Sequence, residues 1–220
     1  MRLGMTPHTG TGVLVVIEGP DGSGKTTLEA GLLERMEARG TPPRILLQPT
    51  TWWRDDARVR ATMVGEPGAL APLGLAAFSI ADRLDHQHHV VEPALGAGEL
   101  LLSNRYLLSL AAHYLTTEEV DQELFAPLYR QILRPDVLVV LDAPTEVLLQ
   151  RVVERDGEDR RRWDQQEEFV ARNRAAFRAL AHSNDALLLE SVDDPGGLVD
   201  RVWSLLEPLL DARVPAVQRA

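Results

Sequence analysis

The 220 residues contain no cysteine. That excludes a disulfide framework and thiolate chemistry, and it fits a cytoplasmic protein. No apolar run approaches the ~20 residues that a membrane-spanning helix needs. The first twelve residues, Met1 to Gly12, are rich in Thr and Gly and lack the apolar core of a signal peptide. They read as a flexible tail, 1–12. Basic side chains are scarce, 23 Lys and Arg against 33 Asp and Glu, for a formal net charge of -10. This argues against a nucleic-acid polymer as partner, because such binding needs basic surface to displace counterions. A small anionic nucleotide is still allowed, since a few local arginines can capture one inside an acidic protein. No internal repeat and no linker interrupt the chain. Its length suits a single domain, 13–212, with a short tail at 213–220.

What is present begins with Gly19-Pro20-Asp21-Gly22-Ser23-Gly24-Lys25-Thr26, followed by Thr27. The segment fits G-x-x-x-x-G-K-[ST] at every fixed position. An apolar run, Val13 to Ile17, precedes it and reads as a buried strand; Leu28, Leu32, Leu33 and Met36 follow on one face of a helix. Glycines let the backbone curl until several N–H groups point at phosphate oxygens, and the helix N-terminus adds its positive end. Lys25 can reach the β- and γ-phosphates, and the Thr26 hydroxyl can ligate Mg²⁺. Residues 19–27 therefore predict a nucleoside-triphosphate site, with ATP and Mg²⁺ as its cofactors.

Five β-like runs are visible: Val13–Glu18, Arg44–Gln48, Glu99–Asn104, Asp136–Asp142 and Ala186–Glu190. Helical patterns lie between them. The alternation predicts an α/β fold of three layers, a five-stranded parallel sheet with helices on both faces. Ligands of such sheets bind at the carboxyl ends of the strands. Arg105 follows the third run directly, where a guanidinium could grip a phosphate through two parallel hydrogen bonds. Arg155 to Arg162 is the densest basic stretch. Beside a phosphate loop it reads as a lid over 155–163, since phosphoryl transfer spreads charge that arginines stabilise. Arg83 could face the acceptor or pair with Asp82 or Asp85. His86, His88 and His89 do not share one helix face and read as surface or partly packed side chains. Trp52 and Trp53 point different ways, so one can line a site while the other packs. Asp142 could help hold Mg²⁺ or cap the helix that Pro144 opens; the cap is the preferred reading.

Together these segments resemble the thymidylate kinase family. Val16 to Thr27 is similar to its first strand and phosphate loop, Ala81 to His86 to its acceptor-site helix, and Asn104-Arg105-Tyr106 to its Asp-Arg-Tyr motif. Arg134 to Pro144 resembles its fourth strand. Arg162-Trp163-Asp164 with Arg172-Asn173-Arg174 resembles the end of its lid and the helix after it. The resemblance implies a P-loop kinase fold, often a homodimer, that moves the γ-phosphoryl of ATP to a nucleoside monophosphate such as dTMP. It implies Asp21 near the acceptor sugar, Arg105 on the acceptor phosphate, Arg83 on the base, and the lid arginines, Arg155 and Arg162 among them, on the donor. Lys25 and Arg105 complete the catalytic set. The chain departs from the family pattern at five places. Gln48 stands for a Glu and Asn104 for an Asp, which removes two carboxylates from beside the reacting phosphates. Ser79 stands for a stacking Phe, with Phe78 one step off; Leu110 stands for a polar residue that reads the base; His113 stands for a Tyr. The catalytic frame is kept while the base pocket, with Trp53 close by, is rebuilt, so base specificity is expected to be altered.

Other readings remain. Gln48 to Arg54 also resembles the Glu-Pro…Trp-Arg segment of deoxynucleoside kinases. A neutral hydroxyl acceptor calls for a general base, however, and Gln48 supplies none, whereas a monophosphate is already an anion. A nucleotide-binding protein without transferase activity would explain the two lost carboxylates, but Lys25, Thr26, Arg105 and the lid arginines count against it. A kinase of a small molecule that is not a nucleotide is the last alternative.

Overall fold

In the computed structural model, residues 1–157, 166–191 and 194–214 are described. Seven strands occur among them: β1 (Thr6–Pro7), β2 (Val13–Glu18), β3 (Arg44–Leu47), β4 (Leu100–Asn104), β5 (Leu133–Arg134), β6 (Val137–Asp142) and β7 (Leu187–Glu190). The helices are α1 (Lys25–Ala38), α2 (Thr51–Arg54), α3 (Ala57–Val64), α4 (Pro72–His86), α5 (Glu92–Gly96), α6 (Leu107–Thr117), α7 (Ala126–Tyr129), α8 (Thr145–Asp156), α9 (Glu167–Ser183) and α10 (Pro195–Arg213). A π-helical turn, Gln87–Val91, joins α4 to α5.

Five strands form the central sheet in the order β3-β4-β2-β6-β7, and every pairing is parallel. Strand β2 lies in the middle, and all six of its residues are buried. A strand covered on both faces has no use for a polar side, which is why the run reads as continuous Val, Leu and Ile. Its side chains alternate between two cores. Val13, Val15 and Ile17 pack with Leu28, Leu32 and Met36 of α1 and with Val199, Val202, Leu206 and Leu210 of α10. Leu14 and Val16 pack on the other face with Ile80 of α4, Leu107 and Ala111 of α6, and Phe177 and Leu180 of α9. This is the expected three-layer α/β architecture. The order places β2 between β4 and β6, where the chain switches direction across the sheet, so the loop leaving β2 opens into the crevice where ligands of such sheets bind.

The first twelve residues are not a loose tail. Leu3 is buried, and its N–H donates to Asn184 Oδ1 at 2.8 Å. Strand β1 pairs in parallel with β5, Thr6 opposite Leu133. His8 Nε2 lies 2.7 Å from Asp136 Oδ2, and the Gly12 N–H donates to the Leu95 carbonyl at 2.8 Å. An apolar anchor and a closed set of backbone hydrogen bonds hold the segment to the domain, whatever its Thr and Gly content. At the other end α10 runs through Arg213, which pairs with Asp136 at 2.6 Å; residues 215–220 lie outside those described. Of the expected lid, Arg155 and Asp156 form the last turn of α8. Residues 158–163, with Arg162, lie outside those described.

Candidate active site

The phosphate loop joins β2 to α1. Gly19, Gly22 and Gly24 take φ of 139°, 81° and 85°. A side chain at Gly22 would bring its Cβ within 2.5 Å of the Leu148 carbonyl oxygen, and one at Gly19 within 2.4 Å of that of Leu141. Both the backbone shape and the close approach therefore demand glycine. Gly24 is the N-cap of α1, with no side-chain cap. The first-turn N–H groups of Thr26 and Thr27 are thus left for an anion, which the helix dipole favours.

Lys25 is the only lysine in the sequence. Its ammonium is buried and donates to the Gly19 and Pro20 carbonyls at 2.9 and 2.7 Å, with Asp21 Oδ1 at 3.9 Å. Burial first, then the charge of Arg105, pulls its pKa down to about 7. A polyphosphate against this amine would reverse that balance. Thr26 is exposed at the second position of the helix, a hard oxygen donor of the kind Mg²⁺ takes. The loop's glycine cradle, uncapped helix end, lysine and oxygen donor fit a Mg²⁺–nucleotide.

A groove of about 450 Å³ runs along this loop. Lys25, Arg54, Arg105, Arg151 and Arg155 line it together with Thr26 and Asn104. Five cations converge here although the whole chain is acidic. Arg151 of α8, which the sequence reading passed over, donates to the Gly22 carbonyl at 3.2 Å and to the Ser191 carbonyl at 2.9 Å. Arg155 lies one turn further on and pairs with Asp156. Asn104 donates its amide to Glu29 Oε2 at 2.7 Å.

Arg105 is the hinge between this groove and a second cleft. Its φ is 83°, while its N–H still donates to the Ile17 carbonyl at 2.9 Å, extending the ladder one step past β4. Its guanidinium pairs with Asp21 and reaches Ser109 Oγ at 3.2 Å. Burial alone would raise the Asp21 carboxyl, but the charges of Arg105, Lys25 and Arg155 outweigh it and hold the group below the usual range. Glu18, at the end of β2, is fully buried. It accepts from the Tyr106 N–H at 2.9 Å, from the Ser109 N–H at 3.1 Å and from the Ser109 hydroxyl. Helix α6 has no cap of its own, and Glu18 caps it from another strand. Burial lifts its carboxyl above the ordinary range, against those hydrogen bonds and the charges of Arg105 and Arg83. A charged residue ending an otherwise apolar buried strand was the signal that could have marked it.

The second cleft holds about 220 Å³. Asp21, Trp53, Ser79, Arg83, Arg105, Leu110 and His113 all line it, so the structure gathers these expected substrate residues at one place. The two tryptophans separate as anticipated. Trp53 turns in and donates Nε1–H to Ser79 Oγ at 2.9 Å, while Trp52 is exposed and meets Phe78 edge-on, ring centroids 4.8 Å apart. Ser79 passes its own proton to the Leu75 carbonyl at 2.8 Å. Arg83 is buried and pairs with neither Asp82 nor Asp85. It donates to the Ser79 carbonyl at 2.8 Å and to the Tyr106 carbonyl. Asp82 instead accepts from Thr50. Burial pushes the His113 ring below its usual pKa, favouring the neutral form. Phe169, Val170, Asn173 and Phe177 of α9 close the cleft from a side the sequence did not suggest.

Two expectations shift. Gln48 is buried behind Pro49, its Nε2 3.2 Å from His86 Nδ1, and it does not line the cleft. Asp142 does not cap α8, whose N-cap Pro144 carries no side-chain cap. It is buried and accepts from Arg174 at 2.8 and 3.0 Å and from Arg178. Those arginines come from successive turns of α9, so Asp142 ties that helix to the sheet. His88 and His89 are exposed beside Glu92 and Asp85.

A family model for thymidylate kinase matches residues 17–199. The thymidylate kinase of Afipia carboxidovorans is 30% identical over 96% of each chain. That of Bradyrhizobium diazoefficiens is 30% identical over 92% of each. That of Leifsonia xyli is 32% identical over 94% of this chain and 99% of its own. The family model and these relatives agree with the phosphate loop described above, and the chain belongs to the thymidylate kinase family.

Proposed function

We propose that this protein transfers the γ-phosphoryl group of Mg²⁺–ATP to thymidine monophosphate, giving dTDP and ADP, as a cytoplasmic homodimer. The observation that carries this reading is the meeting of two sites at Arg105: a cationic groove along the phosphate loop and a largely apolar cleft that ends on Asp21 and Arg105. The donor occupies the groove, its β- and γ-phosphates against Lys25 and the first-turn N–H groups of α1. Thr26 would hold a divalent metal, whose charge would offset that of those phosphates. Arg105 leaves Asp21 for the acceptor phosphate, and Asp21 is then free to face the sugar. Arg151 and Arg155 add positive charge along the donor, where negative charge builds up on the phosphate oxygens during transfer. No general base is required, because the attacking oxygen already belongs to an anion. Gln48, buried and carrying no acid–base group, could not activate a neutral hydroxyl, which disfavours a nucleoside as acceptor.

The base enters the second cleft between Trp53 and the α9 side chains, with Arg83 beneath it. Leu110 offers no hydrogen bond there, so selection rests on shape and stacking. A missing methyl group is worth only about 1–3 kcal/mol in such a pocket. The test is ADP formation with a panel of nucleosides and nucleoside monophosphates at fixed Mg²⁺–ATP. The expected result is turnover of dTMP and, less efficiently, of other deoxypyrimidine monophosphates, with none for nucleosides. Turnover of a nucleoside alone, or of nothing in the panel, would defeat the proposal.

A further inference from the structure

The donor groove has cations in excess, and among the described residues Asp21 is the one carboxylate in its lining. Asn104, which lines it, is neutral. Asp21 pairs with Arg105 and lies near Lys25, and once Arg105 turns to an acceptor it faces the sugar. Asp142 is buried and taken by Arg174 and Arg178. Glu18 is enclosed and fully used by Tyr106 and Ser109. Glu29 remains. It sits on α1 one turn after Thr26, three residues apart and so on the same side of the helix. Among the described residues it has no cationic partner; its one contact is the Asn104 amide, 2.7 Å from Oε2. A carboxylate accepts only, so Asn104 must turn its NH₂ toward Glu29. This neutral partner brings no cation to Glu29 and ties it to Asn104, a residue that lines the groove together with Thr26, the proposed metal donor.

We infer that Glu29, held in place by Asn104, supplies the carboxylate that fixes the hydrated metal of the donor nucleotide. The negative charge expected at position 104 sits instead across one hydrogen bond, on α1. This rests on the donor-site reading of the phosphate loop. Glu29→Gln isolates the charge, because a glutamine side-chain oxygen can still accept from Asn104 and the packing is retained. Asn104→Asp in the Glu29→Gln background returns one carboxylate to the same pair from the other side.

The readout is Mn²⁺ affinity of the ADP complex, by electron paramagnetic resonance of free Mn²⁺, alongside metal-free ADP affinity by calorimetry in EDTA. Glu29→Gln is expected to weaken Mn²⁺ binding by about 10- to 100-fold, the usual effect of removing a metal's supporting partner, and to leave metal-free ADP affinity as in wild type. The double variant is expected to recover the Mn²⁺ affinity. Unchanged Mn²⁺ binding in Glu29→Gln, no recovery in the double variant, or a parallel loss of metal-free ADP affinity would each overturn the inference. Failure of the wild-type protein to bind ADP would overturn the donor-site reading itself.

Discussion

Removing the Trp53 ring tests how this chain holds a base without a phenylalanine at position 79. Trp53 is the aromatic side chain that α2 contributes to the cleft, and its Nε1–H is spent on Ser79. Stacking of a base on an aromatic ring is worth about 1–3 kcal/mol by alanine substitution. Trp53→Ala should therefore raise KM for dTMP about 5- to 150-fold, at 1.4 kcal/mol per factor of ten. Trp53→Phe keeps a ring and drops the N–H. Ser79 then loses a donor but keeps its own bond to the Leu75 carbonyl, so the cost of about 1 kcal/mol should fall on stability, with a smaller change in KM. KM for ATP should not move in either variant, because Trp53 does not line the donor groove. Ser79 is buried, so Ser79→Phe alone overpacks the site, whereas Ser79→Phe with Trp53→Ala places a ring in the space the indole leaves. Steady-state kinetics with each substrate varied in turn decides. A Trp53→Ala enzyme with wild-type KM for dTMP, or one that loses ATP affinity to the same degree, would refute the stacking role.

Lys25 links nucleotide binding to protons. With its pKa at about 7, the amine is mostly neutral at pH 8 and takes up a proton when phosphates restore the charged form. Calorimetry of Mg²⁺–ATP binding in buffers of different ionisation heat should show uptake of about 0.9 proton at pH 8 and about 0.1 at pH 6, with none in Lys25→Arg. The same depressed pKa means the unfolded chain binds more protons between pH 7 and 10.5, so this group makes the empty protein more stable as pH rises through that window. Asp142→Asn breaks the tie to α9. Arg174 and Arg178 are 28% and 44% exposed and can rehydrate, so the loss should stay near 1–3 kcal/mol by urea unfolding, below that of a fully enclosed pair.

The phosphate loop was legible because much of its chemistry is local: the glycines carry positive φ within the loop, and Lys25 bonds carbonyls five and six residues before it. The five main strands were legible for a related reason, since burial on both faces writes itself as an unbroken apolar run. Contacts made at long range left no such trace. Asp142 stood next to Pro144 and suggested a cap, but its partners come from α9, 32 and 36 residues later. Ser79 looked like a lost stack because the indole that fills its place comes from α2, 26 residues before it. The two-residue strand β1 is too short to show any period, and a Thr/Gly-rich opening hid the single leucine that anchors it. Glu29 is one of many acidic residues on amphipathic helices; only its pairing with Asn104 distinguishes it.

The uniqueness of Lys25 makes this protein its own reporter. Its other side-chain cations are arginines, so every ε-amine in a solution of the protein lies on the phosphate loop. That amine is also unprotonated in a large fraction of molecules at neutral pH, which makes it more nucleophilic than an ordinary lysine. An acyl-phosphate analogue of ATP has a single side-chain address here. One mass increment on the intact chain would count occupied donor sites directly. Loss of tryptic cleavage between Lys25 and Thr26 would confirm where the label sits, without a radioactive nucleotide or a coupled enzyme.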